Sequence, residues 1–477
     1  METSSQLDQM AYTINGENLS VAKPRAASLT ALPSELLFQI LSYLSPVDLA
    51  SVSGTSRFLR DHANHDLLWA DIVNANLPSP IRDPAPSPTF KDLYVSHHPL
   101  WFIVRNKIWF SDISNTGKII LARYNHKLGR IEAYRLVASH TIRQFQHWDH
   151  NPNVRVLSFD PQVTLWLDDP VVQLDKFVPS PQHNVLNWRS NEIRMPMALE
   201  AQRVFSTFIL CSKMSPQQQN DPSRAVWPPR LIPAEDRVDI TYSKFLSFQN
   251  LDDRPQRLED ICESAFRVRR WIQFGNHLAS FNIGTVMDGI STFSTLRPEL
   301  YTPTAEKPYQ GIWVGDYSGH GSEFLLIIQR ESPAERSNAN ESGQNQNHLD
   351  ELEASDNAGG SRSSFSDNAS EDELPFGGTL EAIKLTGDPN VPRGEISFVA
   401  DDIGPRGLLR IADEELFKGV RVIRSRGHVA ATNFRDDTFI PGQLFLISHG
   451  CLAHYWEELG HISYYRRVDI DKLLLDK

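Results

Sequence analysis

LTALPSELLFQILSYLSPVDLASVSGTSRFLRDHANHDLLWADIVN, residues 29–74, is the stretch from which the architecture is read. Leu36, Leu37, Ile40, Leu41 and Leu44 recur at the spacing of one helical face, so residues 33–44 are predicted as an amphipathic helix. Pro33 suits a first turn, where its missing N–H is not needed. Ser45-Pro46-Val47-Asp48 stops that helix and starts another: serine as cap, proline in the first position, aspartate near the positive end. A third helical run is anchored by Phe58, Leu67, Leu68, Trp69 and Ile72. A unit of about forty-five residues cannot bury that many apolar side chains against itself. Its leftover stripe needs either the next domain or a partner.

Leu32-Pro33, Glu35-Leu36, Ile40-Leu41, Leu44, Asp48-Leu49 and Val52, followed by Arg57-Phe58 and Leu68-Trp69, resemble an F-box. Gly54-Thr55-Ser56 departs from the Cys-x-Arg that many members carry there. The resemblance implies docking on a Skp adaptor and, through it, a cullin. It makes Leu32, Pro33, Leu36, Ile40, Leu44, Leu49 and Val52 the adaptor-facing positions, with Leu68 and Trp69 closing the edge.

The whole chain has 477 residues, enough for two or three domains, with 40% apolar and 22% charged residues. No apolar run is long enough to span a bilayer, and METSSQLDQM lacks the order of a signal peptide, so no membrane partner is expected. Cys211, Cys262 and Cys451 are odd in number and widely spaced, which argues against a disulfide framework and for the cytosol or nucleus. Of the net charge of −12, residues 331–375 carry −9 (eleven acidic, two basic), leaving −3 elsewhere. No broad basic face for nucleic acid follows.

Residues 1–27 read as a disordered lead-in, 28–76 as the helical module, and 77–99, with five prolines between Pro78 and Pro88, as a stiff linker. From Leu100 the texture becomes β: LWFIV, KIWF, KIILAR, RIEAYRL, VRVLSF and VTLWL, split by turn signals. Residues 195–214 show no clean period, 215–236 read as a surface loop, and 257–274 as a helix with Leu258, Ile261, Cys262, Ala265 and Phe266 on one face. Arg267, Arg269 and Arg270 then fall on a solvated face rather than forming an import patch. From Tyr309 the strands return, interrupted by the acidic insert 331–375, whose composition cannot repay ordering. Ser363, Ser364, Ser366 and Ser370 lie beside acids there and are candidate phosphorylation sites, with an inert spacer as the plainer alternative. The fold class is therefore α+β and multidomain: a helical module followed by a mainly antiparallel, barrel-like domain over 100–477.

Three constellations bear on chemistry. GIWVGDYSGHGSEF, 311–324, ends in neither the phosphate loop's Gly-Lys-Ser/Thr nor a nucleophile elbow. His449, Cys451, His454 and His461 match none of the common zinc spacings. Asp388, in the turn after a strand, either meets a ligand or caps its own turn. No cofactor and no catalysis are expected.

Gly311-x-Trp313-x-Gly315-x-Tyr317-x-x-His320-Gly321-x-Glu323 and Thr386-Gly387-Asp388-Pro389-Asn390-Val391-Pro392 resemble the substrate domain of the cyclin-D-binding F-box family. The tail Gly460-His461-Ile462-Ser463-Tyr464 fits the same picture, and the acidic insert departs from it. The resemblance implies a β-barrel that captures protein targets, cyclin-like or other, for ubiquitination and degradation. Tyr317, His320 and Asp388 would supply polar readout there, Trp313 an apolar wall, and Arg435 and His449 further contacts. Glycines 315, 319, 321 and 387 would let a peptide approach the main chain. Two other readings stay open: an F-box scaffold acting with the adaptor outside a ligase, and a barrel holding a small ligand.

Overall fold

A computed structural model describes residues 29–140, 142–176, 192–198, 200, 204–240, 255–272, 289–331 and 377–475. The chain divides into two units, residues 1–69 and 70–477. The lead-in and nearly all of the acidic insert, with its four serines, lie outside the described residues.

In the first unit, α1 (Ser34–Leu41), α2 (Pro46–Ser53), α3 (Arg57–Ala63) and the start of α4 (Asp66–Asn74) follow the apolar pattern. Pro33 stands at the N-cap of α1, and the Ser45 hydroxyl accepts the Asp48 N–H at the start of α2, with Pro46 next to it. The single helical run expected after α2 is two helices, with Ser56 capping the first of them. Leu37, Leu41, Leu49, Ala63, Leu68 and Trp69 are buried, and the Trp69 indole donates to the Ala63 carbonyl at 2.9 Å.

Residues 77–99, expected as a linker, fall in the second unit. They carry α5 (Phe90–His97), capped by Thr89, and buried His97 reaches the Gly129 carbonyl at 3.1 Å. LWFIV is likewise not a strand. Its residues enter one helical turn, α6 (Phe102–Arg105), because so short an all-apolar run carries no period to tell helix from strand.

The strands of the first half are β1 (Ile108–Ser111), β2 (Ile119–Asn125), β3 (Arg130–His140), β4 (Phe145–Gln146), β5 (Arg155–Leu157), β6 (Pro161–Trp166) and β7 (Val172–Asp175). They continue with β8 (Glu192–Met195), β9 (Val204–Ser212), β10 (Val226–Trp227), β11 (Val238–Asp239), β12 (Ile261–Ile272) and β13 (Gly289–Thr295). Most of them form one sheet in the order β6-β3-β2-β1-β13-β12-β9-β8, with β7 beside β3. Its two ends approach each other: the Gln173 amide of β7 donates to the Pro196 carbonyl just past β8 at 2.8 Å. The sheet curls around Phe102, Trp109, Ile120, Phe208, Phe266 and Phe293.

Within 257–274, expected as a helix, Ile261–Ile272 form the strand β12 after a single 3-10 turn at Leu258–Asp260; 273–274 lie outside the described residues. A register shift between Ile261 and Phe266 puts Ile261 and Phe266 into one core and Cys262 and Ala265 into the other. A bulge of this kind gives a strand three-residue spacing on one face, which imitates a helical period. Arg267 is buried and donates to the Asp239 carbonyl at 2.7 Å. The stretch 195–214, without a period in the sequence, holds β9, and 215–236 holds α7 (Pro216–Asn220) with a Ser215/Gln218 capping box, and buried β10.

The second half supplies β14 (Gly311–Asp316), β15 (Ser322–Arg330), β16 (Thr379–Lys384), β17 (Ile396–Ala400), β18 (Leu408–Ile411), β19 (Arg421–Ala431), β20 (Arg435–Ser448), β21 (Cys451–Trp456) and β22 (His461–Arg467). Eight of them close a barrel in the order β14-β15-β16-β17-β19-β20-β21-β22. The seam is the β14–β22 pairing, with Trp313 opposite Arg467 and Gly315 opposite Tyr465. Trp313, Leu325, Phe398, Leu444 and Tyr465 fill the barrel. The alternate residues Ile312, Val314, Leu326 and Phe445 face outward and pack on Ile119, Leu121 and Leu136 of the curled sheet. Each such aliphatic side chain, fully buried, contributes roughly 1.5–3 kcal/mol, so the two β layers hold each other. Gly427 is needed inside, since a Cβ there would lie 2.3 Å from the Trp456 ring.

Candidate functional site

One end of the barrel opens into a cavity of about 370 Å³. The turn of residues 317–320 between β14 and β15 forms one side, and Asp388, Asn390 and Val391 form the next. His428–Ala430 of β19, with Trp456, Leu459 and His461 around the β21–β22 turn, complete the ring. β14 and β16 end there in Asp316 and Lys384, β21 ends in Trp456, and the barrel beneath is apolar.

The floor is an ion triad. Lys384 Nζ, at the end of β16, lies 2.7 Å from Asp388 Oδ2 and 2.8 Å from Glu323 Oε2, with all three side chains buried. The ammonium also sits 4.4 Å from the centroid of the Tyr317 ring, whose hydroxyl bonds to Ser397. Asp388 Oδ1 accepts the N–H groups of Asn390 and Val391, at 2.6 and 3.0 Å, so this residue caps its own turn as well as pairing with Lys384.

Two buried carboxyls around one ammonium cannot both ionise cheaply. Burial pushes Glu323 up from 4.5 to about 8, against the pull of Lys384. Asp388 feels burial too, but Lys384 and the turn amides outweigh it and hold the group at about 2. Near neutrality the floor is thus a protonated Glu323, a charged Lys384 and a charged Asp388, with no net charge. Deeper in, His454 is kept neutral by burial, at about 3, and its Nε2 lies 3.0 Å from Ser425 Oγ.

This charge state has a measurable consequence. Because Glu323 holds its proton more tightly folded than unfolded, its contribution is intact below about pH 4.5 and is lost as pH rises through about 8. The melting temperature should fall by several degrees between about pH 5 and about pH 8. Glu323→Gln should remove that slope; a slope identical to wild type would refute the protonated state.

Tyr317, His320 and Asp388 meet in the mouth. Trp313, expected as a wall, does not: it is fully buried inside the barrel, its indole donating to the Tyr309 carbonyl at 3.0 Å. Arg435 stands exposed at the tip of the β19–β20 hairpin, donating to the Thr432 carbonyl at 3.1 Å. His449 is exposed in the β20–β21 turn at the opposite end of the barrel, edge-on to Tyr309. Gly315 makes room for the Tyr465 ring and Gly387 for the main chain of residues 391–393, so only Gly319 and Gly321 of the four glycines leave open space. Lys384, His428, Trp456 and His461 line the mouth without having been assigned to it, and Glu323 pairs with Lys384 beneath it. For Glu323 and Lys384 a signal exists: each is a charge directly beside apolar residues, 324–328 and 382–383, and burying it costs heavily unless it is paired. Among the described residues no cluster of His, Cys, Asp or Glu could hold a metal ion, and no helix is long and apolar enough to cross a membrane.

In the helical unit, Pro33, Leu36 and Ile40 are exposed and Leu32, Leu44 and Val52 half-buried. Leu49, Leu68 and Trp69, expected at the adaptor face, are buried and hold the helices together, because their spacing points them between α2, α3 and α4. Tyr43, Val47, Phe58 and Leu67 add exposed apolar surface that the resemblance had not assigned.

A model described as F-box-like matches residues 29–75, and one described as Cyclin D1 binding domain matches 293–472, which spans the barrel and its mouth. The chain thus carries an F-box-like module and a Cyclin D1 binding domain. Its relatives include Protein EXECUTER 2, chloroplastic, from Arabidopsis thaliana, 28% identical over 188 residues, covering 38% of this chain and 22% of that protein. The protein of the same name from Oryza sativa subsp. japonica is 34% identical over 142 residues, covering 30% and 17%. This F-box protein thus matches about a fifth of the length of those curated relatives.

Proposed function

We propose that this F-box protein is the substrate-receptor subunit of a Skp–cullin–F-box ubiquitin ligase. The exposed apolar stripe of the helical unit docks on the Skp adaptor and thereby on a cullin, while the barrel mouth takes the end or an extended segment of a target protein. The observation that carries the reading is the mouth itself: apolar walls from Val391, Trp456 and Leu459 over a buried floor of no net charge. Such a cavity suits a peptide, whose backbone offers donors and acceptors while its side chains seek the walls. The subunit performs no bond chemistry; it raises the local concentration of target lysines at the ubiquitin donor.

The test is affinity purification with the proteasome inhibited, comparing wild type with Leu459→Asp, a change at a half-exposed position of the mouth. The variant is expected to keep the adaptor and cullin but lose ubiquitinated targets. An unchanged set of ubiquitinated proteins would remove the mouth as the target site.

A further inference from the structure

The barrel seam is not closed along its whole length. β22 pairs with β14 through residues 465–467, but nearer the mouth, at His461 and Ile462, its neighbour is β5, and β4 lies beyond β5. The short β4–β5 hairpin therefore fills the gap where β14 and β22 diverge. Its far side is tied to the end of β14 by Arg143, 2.9 Å from Asp316 Oδ1, and Asp316 in turn accepts the N–H of Ser318 in the mouth.

This piece of wall is held rigidly, yet shows apolar side chains to solvent. Gln144 and Ser158 exchange two hydrogen bonds, at 2.8 and 2.9 Å, and the Tyr464 hydroxyl donates to Gln146 at 3.2 Å. Ile142 is nonetheless 88% exposed and Phe145 78% exposed, far more than any other large apolar side chain described in the β unit. The one cation between them, Arg143, is paired. Ordered backbone with uncovered apolar side chains is what a preformed docking surface presents, since little ordering entropy is left to lose on binding.

We propose that Ile142 and Phe145 form an apolar shelf that receives a hydrophobic side chain of the same target peptide whose end enters the mouth. The inference rests on the mouth being the target site and is favoured by the continuity of shelf and mouth through Arg143, Asp316 and Ser318. β4 lies two strands from β22, about 10 Å away, which an extended peptide crosses in about three residues. The partner is thus an extended segment with a branched aliphatic, methionine or phenylalanine side chain about three residues inward from its captured end.

The experiment pans two random peptide libraries, one free at its amino end and one at its carboxyl end, against the full chain and two variants. Wild type should enrich an apolar residue at that spacing. Ile142→Glu with Phe145→Glu, both at exposed positions, should lose this enrichment and weaken the best peptide about tenfold, while the preference at the captured end persists. Leu459→Asp should lose the preference at the end itself. Apolar enrichment that survives the shelf variant overturns the proposal. So does a shelf variant that alters only self-association in sedimentation, which would seat a second copy there. Loss in the shelf variant but not in Leu459→Asp would detach shelf from mouth and overturn it as stated. No enrichment by wild type from either library overturns both readings.

Discussion

Leu36→Asp combined with Ile40→Asp is expected to abolish copurification of the Skp adaptor while leaving the melting of the β unit unchanged. Both side chains lie exposed on α1, one turn apart, so neither aspartate disturbs the core formed by Leu37, Leu41, Leu49 and Trp69. If each acts as a docking anchor worth about 2 kcal/mol, the pair weakens binding about a thousandfold. The control is Leu37→Asp, which buries a charge and should unfold the helical unit. Quantitative pull-down and circular dichroism separate the two outcomes. Undiminished adaptor binding by the Leu36/Ile40 variant would show that the stripe is not the docking face.

Lys384→Met should be the most damaging single change in the mouth. It leaves Glu323 and Asp388 buried together without their cation, and breaking a buried ion pair from one side costs about 3–5 kcal/mol. Urea denaturation should show that loss. Adding Glu323→Gln and Asp388→Asn should recover part of it, because a neutral buried trio no longer carries an uncompensated charge. Asp388→Asn retains an oxygen for the Asn390 and Val391 amides, so the turn survives. If Lys384→Met melts like wild type, the triad is not what holds the floor.

How far each part was legible follows from how locally it is encoded. The helices around Leu36 and Leu49 and the cap at Ser45 are set by residues within a turn of one another, and they stand where the pattern puts them. The barrel strands are legible for the same reason, as short apolar runs bounded by turn residues, such as GIWVGD and EFLLIIQ. Residues 257–274 misled because a bulge, which only pairing with β9 and β13 makes stable, turns a strand's period into something helix-like. Trp313 misled differently. Motif membership says nothing about which side of a strand faces the cavity, and its indole points into the barrel beneath the mouth.

From the sequence by itself came the two-part plan, the helical docking module, the antiparallel β domain and three residues of the mouth, Tyr317, His320 and Asp388. Each of these depends on neighbours along the chain or on a recognisable motif. The tertiary structure alone decided that the stripe from Leu29 to Asn74 divides into a buried set and an exposed set, because direction around a helix acquires meaning only once other helices pack against it. It alone brought Glu323 to Lys384, whose other partner Asp388 is four residues along the chain, closed β14 on β22, and placed the β4–β5 hairpin beside the mouth. His461 meets Arg155, and Arg143 meets Asp316, across separations of well over a hundred residues. Contacts of that kind are fixed by the closing of a barrel, and no local pattern records where a barrel will close.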